Sequence, residues 1–354
     1  MLEEDMKRIT LGKTGLEVNR LGFGGIPIQR VDEKQAVEAV VHAVEGGVDF
    51  IDTARAYTTS EHRIGLALKE TEKQVFLATK SHEKTADGVE ANLVTSLKEL
   101  QRDYIDLYQC HGIKDEEDYK HLISSGGVLD FLRKKKEEGI IGHIGATSHN
   151  QDLVDKIIDD GLFETIMICF SFLEPAAQEK IIPKAIQNGL GVIAMKPFSG
   201  GVIEKSTLAL KYVLHVPEVL VLAGVEKKEF FDENWKVFQG KYDLDDSEKK
   251  EIEEIKQLYN KKFCRRCDYC QPCTEDIPIQ FVLGMRSLVK RMGTAALYGD
   301  RLKGMIEKAK ECSECGECES RCPYELPVRE LIKENVQWVE DQKNHSQKRQ
   351  SPNG

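Results

Sequence analysis

From residue 20 onward, short apolar runs alternate with longer stretches whose apolar residues recur at helical spacing. The apolar runs fall at 20–24, 48–52, 75–80, 105–111, 143–147, 165–170, 191–195 and 219–223. Between them lie amphipathic stretches at 33–45, 60–69, 89–100, 127–138, 151–159, 175–188 and 206–215. Strict alternation of this kind predicts a parallel sheet covered by helices. Eight such units in about 240 residues predict a closed (β/α)8 TIM barrel. An open doubly wound sheet is the competing arrangement. It is disfavoured because Gly22, Gly24 and Gly25 lack the GxGxxG spacing of a dinucleotide-binding turn. Ahead of the barrel, residues 7–18 alternate around Gly12 and Gly15 and predict a short hairpin.

After the barrel, assigned to residues 1–240, the pattern changes. Residues 241–262 are highly charged and predict a linker helix, with Asp245 or Asp246 as its cap. Residues 263–332 hold eight of the ten cysteines in two groups, and the stretch between the groups, 279–310, predicts helix broken near Gly293 and Gly299. The polar residues 340–354 predict a disordered tail.

Charge and composition narrow the classes. A net charge of -10 argues against non-specific binding to nucleic acid or to an anionic membrane. No apolar run approaches the roughly 20 residues that span a bilayer. The opening residues are acidic, with no apolar core, so a secretory signal is not expected and a cytoplasmic protein is. In a reducing cytosol, clustered cysteines favour metal ligation over disulfides. Cys110 and Cys169, alone in apolar strands, are expected to be core residues.

Active sites of such barrels sit at the C-terminal ends of the strands. The second strand ends in Asp52 and leads to Tyr57, the third ends in Lys80, and the fourth in His111. Singly, these are ordinary residues: an Asp at a strand end commonly caps a turn. Delivered to one rim, they fit carbonyl reduction, in which a hydride adds to carbon and a proton must reach oxygen. A free phenol has a pKa of about 10, and a neighbouring ammonium favours the phenolate. Asp52 would keep Lys80 charged, and His111 would bind the carbonyl oxygen or share the proton.

The segments RITLGKTGLEVNRLGFGG (8–25), DTARAYTTSEHRIG (52–65), TK (79–80) and DLYQCH (106–111) resemble the aldo/keto reductases. The resemblance spans about residues 8–240. It implies that Tyr57, Lys80, Asp52 and His111 form a catalytic tetrad with Tyr57 as proton donor. It also implies NADPH or NADH bound across the barrel mouth without a Rossmann fold. On the same basis Thr147 and Ser148 would hold the nicotinamide amide, and Met195 falls where the family often stacks an aromatic on the nicotinamide. The loop Pro197, Phe198, Ser199, Gly200, Gly201 could approach the pyrophosphate. Glu233 and Asn234 match the closing pair of the adenosine-binding segment. Phe230 stands where many members have an Arg, which leaves Lys227 and Lys228 as the candidates to meet a ribose phosphate. The Gln that many members carry on the sixth strand has no match in 167–175.

Cys312, Cys315, Cys318 and Cys322, followed by Pro323, form the C-x2-C-x2-C-x3-C-P run of bacterial ferredoxins. Zinc sites normally use two separated CxxC pairs instead. Cys264, Cys267, Cys270 and Cys273 repeat the run with a last gap one residue shorter and Thr274 in place of the proline. Resemblance to two-cluster ferredoxins implies two [4Fe–4S] clusters with exchanged fourth ligands. One takes Cys264, Cys267, Cys270 and Cys322; the other takes Cys312, Cys315, Cys318 and Cys273. The helical insert implies an α-helical ferredoxin-like module, and the whole chain then resembles the iron–sulfur branch of the aldo/keto reductases.

The expected function is NAD(P)H-dependent reduction of a small-molecule aldehyde or ketone beside a 4Fe–4S electron-transfer domain. A ferredoxin or flavoprotein is the expected redox partner, because a hydride carries two electrons and a cluster one. The alternative is an electron-transfer or partner-docking iron–sulfur protein whose barrel does not turn over. A Schiff-base lyase using Lys80 or Lys196 is a third arrangement.

Overall fold

The structure, a computed structural model, describes residues 7–292 and 297–350. Among them two compact units separate, divided near residue 249, with residues 200–202 grouped with the second.

The first unit opens with the expected hairpin, β1 (Arg8–Thr10) antiparallel to β2 (Glu17–Asn19). Eight parallel strands then close into a barrel: β3 (Leu21–Gly24), β4 (Phe50–Asp52), β5 (Phe76–Ser81), β6 (Ile105–Cys110), β7 (Ile141–Thr147), β8 (Thr165–Cys169), β9 (Gly191–Met195) and β10 (Val219–Gly224). β10 pairs with β3 to complete the ring. Because strand side chains alternate, one set faces the helices and the other the barrel axis. Phe50, Ala78, Leu107, Met167, Ile193, Leu220 and Leu222 form an inner cluster together with Leu11 and Val18 of the hairpin region. The hairpin thereby packs on the barrel interior. Gly12 is required there: its φ is +55, and a Cβ would meet the Gly191 nitrogen at 2.1 Å.

The second unit is helical, with no strand among its described residues: Ile279–Leu283, Met285–Met292, Asp300–Lys310, Glu317–Ser320 and Val328–Gln350. Ile277, Ile279, Val282, Ala309, Leu326, Val328, Leu331 and Ile332 form its core, against which six of the eight clustered cysteines pack. The helix Asp246–Tyr259 occupies the predicted linker. Gly299 is the residue before the helix Asp300–Lys310, as its predicted break requires, whereas Gly293 lies outside the described residues.

The predicted disordered tail needs correction. The last helix continues through Gln350, into the 340–354 stretch, and 351–354 lie outside the described residues. Glu, Gln, Lys and Arg are good helix formers, and they extend a helix already anchored by buried Leu331, Ile332 and Val339. No helix of the described residues is long and apolar enough to cross a membrane.

Candidate active site and thiol rings

The segment between β4 and the helix Ser60–Ala67 is fixed by its backbone. The Thr53 and Arg55 amides donate to the Ala78 and Lys80 carbonyls of β5, at 2.8 and 3.1 Å. The Tyr57 amide donates to the Ala54 carbonyl at 2.9 Å, and Thr58 takes a left-handed φ of +43. A buried carboxylate braces the segment from beneath. Glu61 pairs with Arg55 and accepts from the hydroxyls of Thr79 (2.6 Å) and Ser96 (2.7 Å). Tyr57 is thus carried on a loop pinned at both ends.

Lys80 is wholly buried. Its Nζ donates to Asp52 Oδ2 at 2.5 Å and to the Thr53 carbonyl at 2.7 Å, and it is also hydrogen-bonded to Tyr57. Burial works against the ammonium, but the Asp52 carboxylate and Tyr57 outweigh it, so the Lys80 pKa lies above its ordinary value. The other Asp52 oxygen accepts from Gln109 Nε2 at 3.1 Å. Gln109 is a site neighbour that the sequence reading missed. The signal was its place in β6, in register with Lys80 on β5.

His111 follows β6, its ring edge-on to Tyr57 at a centroid distance of 6.0 Å. Burial and then the neighbouring Lys80, His82, His149 and Lys196 hold its pKa well below the usual imidazole range. It is a neutral imidazole near pH 7. His82 stacks on it, with centroids 3.6 Å apart and planes 15° off parallel. The four tetrad candidates are therefore brought together, with Gln109, His82, His149 and Lys196 around them.

The cofactor candidates are more dispersed. Thr147 Oγ1 accepts from the Gly112 amide at 2.6 Å, which leaves its own proton to donate. Ser148 Oγ donates to the Ile113 carbonyl and accepts from the Asn150 amide, so both hydroxyl functions are engaged. Met195 ends β9 against the inner cluster. Beyond it Lys196, Ser199, Gly200 and Gly201 all have positive φ. Pro197 and Phe198 lie between them. On the helix Lys228–Gln239, Asn234 is buried and Glu233 exposed; Lys228 pairs with Glu38, and Lys227 lies over the Phe230 ring. Among the described residues, Gln109 Oε1 and His111 Nδ1 are buried without a hydrogen-bond partner.

Cys110 and Cys169 are buried core residues, and burial pushes the Cys110 thiol up to about 12, outside reactive range. The other eight line two hollows, four to each. Cys264, Cys267, Cys270 and Cys322 line one; Cys312, Cys315, Cys318 and Cys273 line the other. Each ring borrows its fourth thiol from the other run. The backbones match as well: φ is positive at Arg266 and Asp268 in the first run and at Glu314 and Gly316 in the second. After the fourth cysteines, Asp276 and Glu325 repeat the correspondence. The one-residue difference in the last gap leaves this pattern intact. Among the described residues, no three His, Cys, Asp or Glu side chains converge as for a single metal ion. Four thiols around a hollow fit a larger cubane group.

A family model described as the aldo/keto reductase family matches residues 20–207, more than half of the chain. One described as a 4Fe-4S dicluster domain matches residues 263–327. L-galactose dehydrogenase of Arabidopsis thaliana is 29% identical over 212 residues, which are 54% of this chain and 66% of that protein, slightly under two thirds of its length. The NADH-specific methylglyoxal reductase of Escherichia coli is 27% identical over 238 residues, 59% of this chain and 72% of that protein. Among solved structures, an aldo-keto reductase of Klebsiella pneumoniae in complex with NADPH has a TM-score of 0.58 at 20% identity. It covers 72% of this chain and 95% of its own, a likeness that shows the fold.

Proposed function

The chain belongs to the aldo/keto reductase family and ends in a 4Fe-4S dicluster domain, and from that premise we propose that it reduces an aldehyde or ketone at Tyr57, using NADPH or NADH. The observation that carries this reading is Lys80 Nζ, which contacts Asp52 and Tyr57 together. A bound nicotinamide supplies the hydride. This chain's residues supply the proton and the place for the oxygen. His111 is held neutral, so it serves as a hydrogen-bonding partner for the carbonyl oxygen and not as the acid. Tyr57 gives its proton to that oxygen, and the ammonium beside it stabilises the phenolate left behind. Asp52 neutralises Lys80 and fixes its position, while Gln109 fixes Asp52. Thr147 and the backbone beyond Met195 are the proposed nucleotide contacts; the support for Thr147 is a hydroxyl proton left to donate.

The same reading assigns one [4Fe–4S] cluster to each thiol ring. The support is the two hollows, each lined by four thiols with one drawn from the other run. A ferredoxin or flavoprotein partner belongs with it, because a cluster changes charge by one electron and a hydride carries two.

The test is steady-state reduction of a panel of aldehydes and ketones with each nucleotide, on anaerobically purified, cluster-replete protein. Turnover with NADPH or NADH is expected. The absence of both turnover and nucleotide binding in such a sample would sink the reading.

A further inference from the structure

Gln109 is wholly buried, and its amide has a fixed sense. Its Nε2 donates to Asp52 Oδ1 at 3.1 Å; a carboxylate can only accept, so the amide carbonyl is left for another partner. That carbonyl oxygen, Oε1, has no hydrogen-bond partner among the described residues. Thr165 is also wholly buried, and its hydroxyl is in the same state. An unpaired buried carbonyl or hydroxyl is costly, and native interiors seldom keep one.

The two groups meet over one residue. Gln109 of β6, Gly145 of β7 and Thr165 of β8 stand in register on adjacent strands. Gln109 and Thr165 face the barrel interior, since Leu107 and Met167, two residues away on the same strands, belong to the inner cluster. A Cβ on Gly145 would lie 2.3 Å from Thr165 Oγ1 and 3.0 Å from Gln109 Cγ. The missing side chain is what lets the hydroxyl and the amide chain close over the same point. The Thr165 hydroxyl can donate, and Gln109 Oε1 can only accept. They do not bond each other directly, and one water between them pairs both.

We infer that a buried water joins the Thr165 hydroxyl to Gln109 Oε1, and that Thr165 is through it a positioning residue for Asp52 and Lys80. This rests on the reduction proposed above and extends its site to β8. The chain runs from Thr165 through the water to Gln109, from Gln109 to Asp52, and from Asp52 to Lys80, which meets Tyr57. A donor at Oε1 polarises the amide and makes Nε2 a stronger donor to Asp52. The stronger that bond, the more firmly Asp52 stays a carboxylate and Lys80 an ammonium. The ammonium in turn favours the Tyr57 phenolate.

Two measurements on the cluster-replete protein test this. A crystal structure of the wild type, at a resolution that orders internal waters, is expected to show one water within hydrogen-bond distance of both Thr165 Oγ1 and Gln109 Oε1. Its absence overturns the inference. The second measurement is the pH profile of alcohol oxidation with NADP+ or NAD+, the reverse reaction, in which Tyr57 must be ionised. Thr165→Val keeps the side-chain shape and removes the hydroxyl. It is expected to move the midpoint of the kcat/KM rise to higher pH by about half a pH unit, about threefold in the ionisation constant, with nucleotide affinity unchanged. Thr165→Ser is expected to restore the wild-type midpoint. A Thr165→Val midpoint equal to that of the wild type overturns the positioning role. So does an equal displacement in Thr165→Ser, since lost packing and not the lost hydroxyl would then be the cause. The inference and the reading it rests on fail separately. The water seen at Thr165, with no turnover of any alcohol or carbonyl, upholds the bound water and removes the reduction it serves. Turnover that needs Tyr57, with no water at Thr165, does the reverse.

Discussion

Lys80 and Asp52, on neighbouring strands of the barrel, form an ion pair with side chains only 1% and 5% exposed. Removing one member of such a pair strands the other charge in a low-dielectric interior, at a cost of about 3–5 kcal/mol. Asp52→Ala should therefore lower barrel stability by roughly that amount. Asp52→Leu combined with Lys80→Met should recover most of it while leaving no carbonyl turnover. Chemical denaturation followed by circular dichroism measures both. Equal stability of Asp52→Ala and wild type would show that the pair is not held as described.

Tyr57→Phe removes the proposed acid but leaves the ring that faces His111 and Lys80. General acid catalysis contributes about 10²–10⁴-fold. Carbonyl reduction should fall by that range, with nucleotide affinity unchanged by fluorescence titration. Turnover within a few-fold of wild type would pass the acid role to another group.

His143, Lys136 and the Ile144 amide converge on Glu164, beside β7 and away from the proposed chemistry. Burial alone would raise its pKa; the three hydrogen bonds outweigh burial and bring it down to about 2. A depressed carboxylate pKa means that the unfolded chain binds more protons between that value and about 4.3. The stabilisation is present above the unfolded pKa and is lost as pH falls through the folded one. Glu164→Gln should cost about 2 kcal/mol at pH 7, allowing for its partial exposure, and little at pH 2. Denaturation midpoints across pH 2–7 check this. A difference that stays constant with pH contradicts it.

Much of the barrel was legible in the sequence because buried parallel strands are continuous apolar runs; the run 191–195 became β9 without change. Where the reading slipped, a specific contact or residue intervened. Val48 and Asp49 drop out of the second strand, with Asp49 taken up by Arg8 and the Asn19 amide. The predicted helix 175–188 splits at Lys180 into Ala176–Glu179 and Ile181–Gln187, because Pro183 lacks an N–H and crowds the carbonyl of residue 179. The helix Glu116–Leu122 went unpredicted although Asp115 caps it. At the site, Asp52, Tyr57, Lys80 and His111 were readable as strand-end chemistry. Gln109, His82 and His149 were not: a polar residue on a strand or just past it looks the same in sequence whether it faces solvent or a buried carboxylate.

The thiol rings yield the sharpest prediction, since sequence proximity and spatial proximity disagree. Cys322 lies in the run with Cys312, Cys315 and Cys318 but lines the hollow of Cys264, Cys267 and Cys270. Cys273 shows the converse. Cys322→Ser should therefore destabilise the cluster held by the first run. Under anaerobic native conditions, Cys264, Cys267 and Cys270 should become open to alkylation, while Cys273, Cys312, Cys315 and Cys318 stay protected. Cys273→Ser should reverse the two sets. Iron should fall from about eight per chain to about four in either variant, as one of two four-iron groups is lost. Mass-spectrometric mapping of the labelled cysteines decides the outcome. If Cys322→Ser exposes Cys312, Cys315 and Cys318 instead, each cluster draws all four ligands from its own run, and the crossed arrangement is wrong.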